Sequence, residues 1–170
     1  MRPLKFLLGC ATSLLLAGCA GYHLGPVNDA VAGEKSVEVL PFNNQTLQPR
    51  LGDAVTQALR ERLQADATYR LAASGPGDIV VSGDIKSYNR EGASYLNNDV
   101  TTAEDYRVGI VAHVVARERD TGKVLLDKDV NGYALVHVGS DLASTERQSL
   151  PLLAEDLAQN IAESLTEGAW

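Results

Sequence analysis

Tyr106-Arg107-Val108-Gly109-Ile110-Val111-Ala112-His113-Val114-Val115-Ala116-Arg117-Glu118-Arg119 alternates strictly: Tyr106, Val108, Ile110, Ala112, Val114 and Ala116 share one parity, while Arg107, Gly109, Val111, His113, Val115 and Arg117 share the other. A period of two with this many β-branched residues is the pattern of a long half-buried strand. Asp120-Thr121-Gly122-Lys123 follows with the composition of a hairpin turn. Val124 to about Val138 is therefore expected to return antiparallel, and the two long strands define a sheet.

Upstream, Ile79, Val81, Gly83 and Ile85 alternate with Val80, Ser82, Asp84 and Lys86, predicting another half-buried strand that reaches about Arg90. Ser36 to Phe42 reads as a first strand, with Pro41 at an edge or at the strand's end. Tyr69 to Ala72 can form a short one. Asn43-Asn44-Gln45-Thr46 is turn chemistry, and Glu91 to Asp105 reads as a polar, tyrosine-bearing loop. Leu51, Ala54, Val55, Ala58, Leu59, Arg62 and Leu63 fall at helical spacing, so a helix over Arg50 to Ala65 is expected, entered just after Pro49. A second apolar stripe runs through Leu150, Leu153, Leu157, Ile161 and Leu165. Ser149 with Pro151 supplies a cap and first-turn proline for it, Ser144 with Glu146 offers an earlier start, and Gly168 ends it. Each helix has one stripe to bury and the sheet needs one cover. The expected fold is α+β, with about four mostly antiparallel strands and both helices on one face.

The chain has 170 residues, enough for one ordinary domain, and its 22 acidic against 15 basic side chains give a net charge of -7. That balance argues against a nucleic-acid partner. The N-terminus carries Arg2 and Lys5, then an apolar run from Phe6 to Leu16, then Ala17-Gly18-Cys19, the order of a secretory signal peptide. The run is too short for a permanent transmembrane helix. Leu16-Ala17-Gly18-Cys19 also resembles the lipobox of bacterial lipoproteins, which implies cleavage after residue 18 and a lipid on the thiol of Cys19. Losing Arg2 and Lys5 with the signal segment takes the side-chain charge from -7 to -9. Residues 19–35 then form a lipidated tether and residues 36–170 the folded domain. Ala20 to Lys35, flexible, would reach about 20–25 Å, which holds the domain against its own membrane. By the same resemblance, Ala20 in place of aspartate implies an outer-membrane destination facing the periplasm.

Chemistry-bearing residues are sparse. His23, His113 and His137 show no metal-ligand spacing, and neither a nucleophile elbow nor a phosphate-cradling glycine loop is present. No metal, no cofactor and no catalytic residue is expected, although His113 and His137 could meet across the hairpin.

Beyond the lipobox, Gly21-Tyr22-His23-Leu24, the strand-helix opening, and Thr102-Ala103-Glu104-Asp105-Tyr106 leading into the valine-rich strand resemble the LptE family of lipopolysaccharide-assembly lipoproteins. Asp120-Thr121-Gly122-Lys123-Val124 and Ala154-Glu155-Asp156-Leu157-Ala158 match at the same relative places. The resemblance implies a non-enzymatic plug in the lumen of the outer-membrane barrel LptD, which assists that barrel's assembly and helps deliver lipopolysaccharide to the cell surface. It also implies basic residues at the tip of the sheet that meet lipopolysaccharide phosphates. Here Glu91 to Asp105 has no Lys or Arg and four acids, Glu91, Asp99, Glu104 and Asp105. The candidates for that contact are consequently Arg107, Arg117 and Arg119 on the long strand. The opening Val37 to Thr46 followed by Leu51 to Val55 is also similar to lipoproteins that activate peptidoglycan synthases and to CsgG-type secretion-pore subunits. Those are the alternative readings.

Overall fold

The computed structural model describes residues 35–66, 68–72, 75–96, 99–137 and 142–168. The signal segment 1–18, Cys19, and the tether as far as residue 34 lie outside the described residues. Eight elements follow one another: β1 (Ser36–Val39), β2 (Asn43–Asn44), α1 (Leu51–Ala65), β3 (Arg70–Leu71), β4 (Ile79–Leu96), β5 (Asp99–Glu118), β6 (Val124–His137) and α2 (Leu142–Gly168). The sheet order is β3-β1-β4-β5-β6, with β2 pairing β4. The three long strands are antiparallel, while β1 lies parallel to both β3 and β4.

The α+β layout therefore stands, with six strands where about four were expected. Of the two short pieces, β3 lies within the Tyr69 to Ala72 stretch expected to form a short strand, and β2, two residues long, is below the length at which alternation can be read. Asn43 and Asn44, expected to turn, instead pair with Asp84 and Ile85. The turn comes immediately afterwards, where the Asn44 side-chain oxygen accepts from the Thr46 amide at 3.0 Å. Pro41 stands just past the end of β1, which is an interior strand.

The long strand behaves as its alternation requires. Val108, Ile110, Ala112, Val114 and Ala116 are completely buried on the face that both helices cover. Arg117 pairs with Val124, Gly122 takes φ 69°, and its amide donates to the Glu118 carbonyl at 2.9 Å, closing the hairpin at the expected residues.

Glu91 to Asp105 is corrected from loop to ladder. β4 continues to Leu96 and β5 begins at Asp99, with Glu91 opposite Arg107, Gly92 opposite Tyr106 and Ser94 opposite Asp105. Alternation marks only strands with one face in a core. Residues 89–93 are exposed, so this part of the ladder rests on backbone pairing, with register shifts between Gly92 and Leu96.

Helix α1 starts at Leu51, with Arg50 before it in the left-handed region at φ 64°. Thr56 ties its first turns to the strand connection, donating to the Gly52 carbonyl at 2.7 Å and accepting from the Phe42 amide at 2.9 Å. Helix α2 begins at Leu142, earlier than either expected start, and passes through Pro151. An interior proline costs a helix about 3 kcal/mol. Complete burial of Leu153, Leu157 and Ile161 against the sheet and α1, at ~1.5–3 kcal/mol each, offsets that cost and carries the helix through.

At the other end of β1, Asp78 accepts from the Ser36 amide and hydroxyl, both at 2.7 Å. These bonds hold its carboxyl below the ordinary value of 3.8, the backbone bond contributing most. A carboxylate with a lowered folded pKa stabilises the fold above its ordinary pKa, and that contribution disappears as pH falls through the lowered value. Stability of the parent should therefore decline steeply in acid below about pH 4, and Asp78→Ala should make the decline shallower. Denaturant midpoints measured between pH 7 and pH 3 check this. Identical slopes for the two proteins would remove Asp78 from the acid response.

Candidate functional site

The sheet has a second face, turned away from the helices, and the predicted arginines map onto it unequally. Row by row across β4, β5 and β6 it presents Glu91-Arg107-Leu135, Asn89-Gly109-Tyr133, Ser87-Val111-Asn131, Asp84-His113-Asp129, Ser82-Val115-Asp127 and Val80-Arg117-Val124. Arg107 is exposed, and its guanidinium carbon lies 5.9 Å from the centre of the half-exposed Tyr133 ring. Gly109 makes room for that ring: a Cβ there would stand 3.2 Å from two Tyr133 ring carbons. An isolated glycine inside an alternating strand signals such a close approach, and it is the clue in the sequence to Tyr133, which sequence reasoning had passed over. Leu135, exposed beside Arg107, completes a small patch of cation, ring and aliphatic side chain.

Arg117 occupies the same face ten residues away, roughly 33 Å along the strand at 3.3 Å per residue. Arg119 leaves the strand altogether. Its amide donates to the Asp78 carbonyl at 2.8 Å, its Nε to the Gly77 carbonyl at 2.9 Å, and its guanidinium pairs with Glu38. These bonds fasten the base of the hairpin to β1, so Arg119 is occupied structurally. The three arginines are not brought into one cluster.

The histidines do not meet either. His113 lies opposite Asp129, with its two ring nitrogens 2.9 Å and 3.3 Å from Asp129 and Asp127. Lys86, also 2.9 Å from Asp129, is the largest cause holding that carboxyl below its ordinary range, and His113 adds to it. His137 lies opposite Asp105, whose carboxyl is lowered first by the Ser94 hydroxyl and then by His137. Each histidine serves an aspartate across the hairpin, which keeps the uncovered face charged and hydrated. Among the described residues no group of three or more His, Cys, Asp or Glu side chains is placed to hold a metal ion. No described helix is long and apolar enough to cross a membrane.

One edge of the sheet is guarded. At β6 the Tyr133 amide donates to Asp156 at 2.8 Å, and Asn160 donates to the Asn131 carbonyl at 2.9 Å. Two side chains of α2 thus occupy backbone groups that would otherwise template another strand.

Comparison with solved structures shows how widely this arrangement occurs. The hypothetical protein CT253 from Chlamydia trachomatis is similar at 14% identity and a TM-score of 0.57, over 80% of this chain and 98% of its own. Protein XCC0632 from Xanthomonas campestris matches at 12% identity and 0.53, over 84% and 90%. A minor lipoprotein from Acinetobacter baumannii matches at 14% and 0.51, over 78% and 93%. At such identities the likeness is one of fold. No curated protein matches in sequence. A family model, "LptE: Lipopolysaccharide-assembly", matches residues 34–166, which span the sheet and nearly all of both helices. With this match over most of the chain, the protein belongs to the LptE lipopolysaccharide-assembly family.

Proposed function

We propose that this chain is a lipid-anchored, periplasm-facing subunit of the outer membrane that occupies the lumen of an LptD-type β-barrel, assists its assembly and helps pass lipopolysaccharide outward. The family match over residues 34–166 carries the reading. The uncovered sheet face supports it: Glu91, Arg107, Asn89, Asn131, Asp84, His113 and Asp129, with Lys86 bonded to Asp129, are interspersed with Val111, Tyr133 and Leu135, and so many charged and amide groups suit the polar interior of a wide barrel better than a lipid surface. Nothing in this role requires a reacting group. A lipid on Cys19 would raise the local concentration of the domain around any barrel in the same membrane.

Affinity purification of the tagged lipoprotein from native outer membrane tests this. One large β-barrel should be recovered in equal stoichiometry, and Cys19→Ser should leave most of the protein in the inner-membrane or soluble fraction. Recovery of a homo-oligomer or of a peptidoglycan synthase would overturn the barrel assignment in favour of a secretion-pore subunit or a synthase activator.

Within this role Arg107 is the proposed contact for a lipopolysaccharide phosphate, since its cation sits beside the Tyr133 ring on the uncovered face. Arg117 and Arg119 are the other two candidates, and the bonds of Arg119 to Gly77 and Glu38 place it last. Arg107→Glu should weaken capture of lipopolysaccharide roughly tenfold, the loss of one charge-assisted contact of ~1.5 kcal/mol. Unchanged capture would return Arg107 to the hydrated surface.

A further inference from the structure

On the uncovered face the Tyr133 ring leans across Gly109, close enough that a Cβ at residue 109 would stand 3.2 Å from two carbons of one ring edge. Shielding the backbone at a strand glycine accounts for that edge. It does not account for the rest: Tyr133 is 50% exposed, and its hydroxyl has no hydrogen-bond partner among the described residues. Asn89 stands in the same row, Asn131 two residues back along β6, and Arg107 with Glu91 in the next row. All four are exposed, and among the described residues none of their side chains makes a hydrogen bond or an ion pair. Water satisfies each of them singly. Their arrangement around a bare aromatic ring is what sets them apart from an ordinary hydrated surface.

The ring is fixed before any ligand arrives. The Tyr133 amide is tied to Asp156 of α2, and the preceding Gly132 lies so near that helix that a Cβ there would stand 2.7 Å from the Cβ of Leu157. A ring on so anchored a backbone loses little freedom on binding. Chemistry then selects the ligand. Adjacent strands lie about 4.8 Å apart, so Asn89 and Tyr133, two strands apart, bracket roughly 10 Å, about one pyranose with its hydroxyls. Such a sugar presents C–H groups on one face and, at its rim, hydroxyls that both donate and accept. Tyr133 offers the electron-rich face that C–H groups favour. Asn89 and Asn131 each offer a donor and an acceptor, Arg107 donors only and Glu91 acceptors only. A ligand held by phosphate alone fits poorly, because Glu91 stands opposite Arg107 and the chain carries a net charge of -7. An acyl chain fits worse, since it would strip water from four polar groups and give them no partner.

We infer that Tyr133 is the platform on which a sugar ring of the lipopolysaccharide stacks, with Asn89 and Asn131 bonding its hydroxyls beside Arg107. The inference rests on the function proposed above and deepens it, by assigning the saccharide part of that ligand to named residues.

The test uses the full lipidated protein in detergent micelles. The probe is the water-soluble glycan released from lipopolysaccharide by mild acid, both with its phosphates and after their removal. In saturation-transfer NMR, magnetisation from the protein should reach the ring C–H protons of the glycan. Tyr133→Phe keeps the ring and should bind within about twofold of the parent, whereas Tyr133→Ala should bind about tenfold more weakly, on both forms of the glycan. Asn89→Ala combined with Asn131→Ala should weaken binding by a similar factor. Both asparagines are exposed, so that variant keeps the fold, which an unchanged melting curve would register. Unchanged binding by Tyr133→Ala overturns the platform, as does a phenylalanine variant as weak as the alanine one. A loss confined to the phosphorylated glycan overturns stacking and returns the contact to Arg107. Recovery of the barrel is scored separately. A barrel recovered by protein that binds no glycan overturns the platform and leaves the proposed function standing; neither barrel nor glycan overturns both.

Discussion

Gly132→Ala should lower the stability of the domain by about 3 kcal/mol, at the upper end of what overpacking a core costs. A Cβ at residue 132 would stand 2.7 Å from the Cβ of Leu157, 2.8 Å from its amide nitrogen and 2.9 Å from its Cα. No rotamer change relieves a collision with backbone, so α2 must lift away from β6. The helix is pinned on both sides of this point, by Asp156 accepting from the Tyr133 amide and by Asn160 donating to the Asn131 carbonyl. Lifting it should therefore loosen both bonds. In a domain of this size the melting temperature should fall by roughly 6–12 °C, and the Tyr133 amide should lose hydrogen-exchange protection. A melting point within about 2 °C of the parent, with Tyr133 still protected, would show that the helix accommodates a methyl group and that the contact is soft.

Leu157→Ala is expected to cost about 3–4 kcal/mol, within the range for a large aliphatic side chain removed from a closed core. Leu157 is completely buried, in a layer with Ile161, Leu153 and the inward side chains of β5. The surrounding backbone consists of long paired strands, which cannot collapse into the space. The atoms with which a residue-132 methyl collides are common to leucine and alanine, so Leu157→Ala does not relieve Gly132→Ala. The double variant should therefore be less stable than either single variant, with a loss that departs from the simple sum because the two sites are in contact. Leu152→Ala, five residues earlier and mostly exposed, should stay within ~0.5 kcal/mol of the parent. Chemical denaturation of the four proteins checks the series. A small loss at 157 or a rescued double variant would mean that the helix-sheet contact is looser than the geometry states.

What was legible in the chain follows from how burial writes itself into sequence. Val108, Ile110, Ala112, Val114 and Ala116 are all inside because a strand with one covered face must alternate. The stripes Leu51 to Leu63 and Leu153 to Leu165 are inside because a helix with one covered face repeats every three to four residues. The hairpin at Asp120 to Lys123 was readable because Gly122 alone tolerates the φ of 69° that the turn needs without strain. Where neither face is covered, no such pattern exists. Glu91 to Asp105 accordingly looked like a loop although its backbone pairs across the hairpin. Pro151 misled for a related reason: a local helix rule was outweighed by the burial of the residues that follow it.

The sequence alone determined the α+β class, the two long strands and their turn, both helix stripes and the family resemblance, because each is a local pattern of side-chain type that folding only has to satisfy. Tertiary structure decided the rest, because distance in space is set by register and packing. It placed Arg107 against Tyr133 across Gly109, took Arg119 away to Glu38 and Gly77, and set His113 and His137 apart with their separate aspartates.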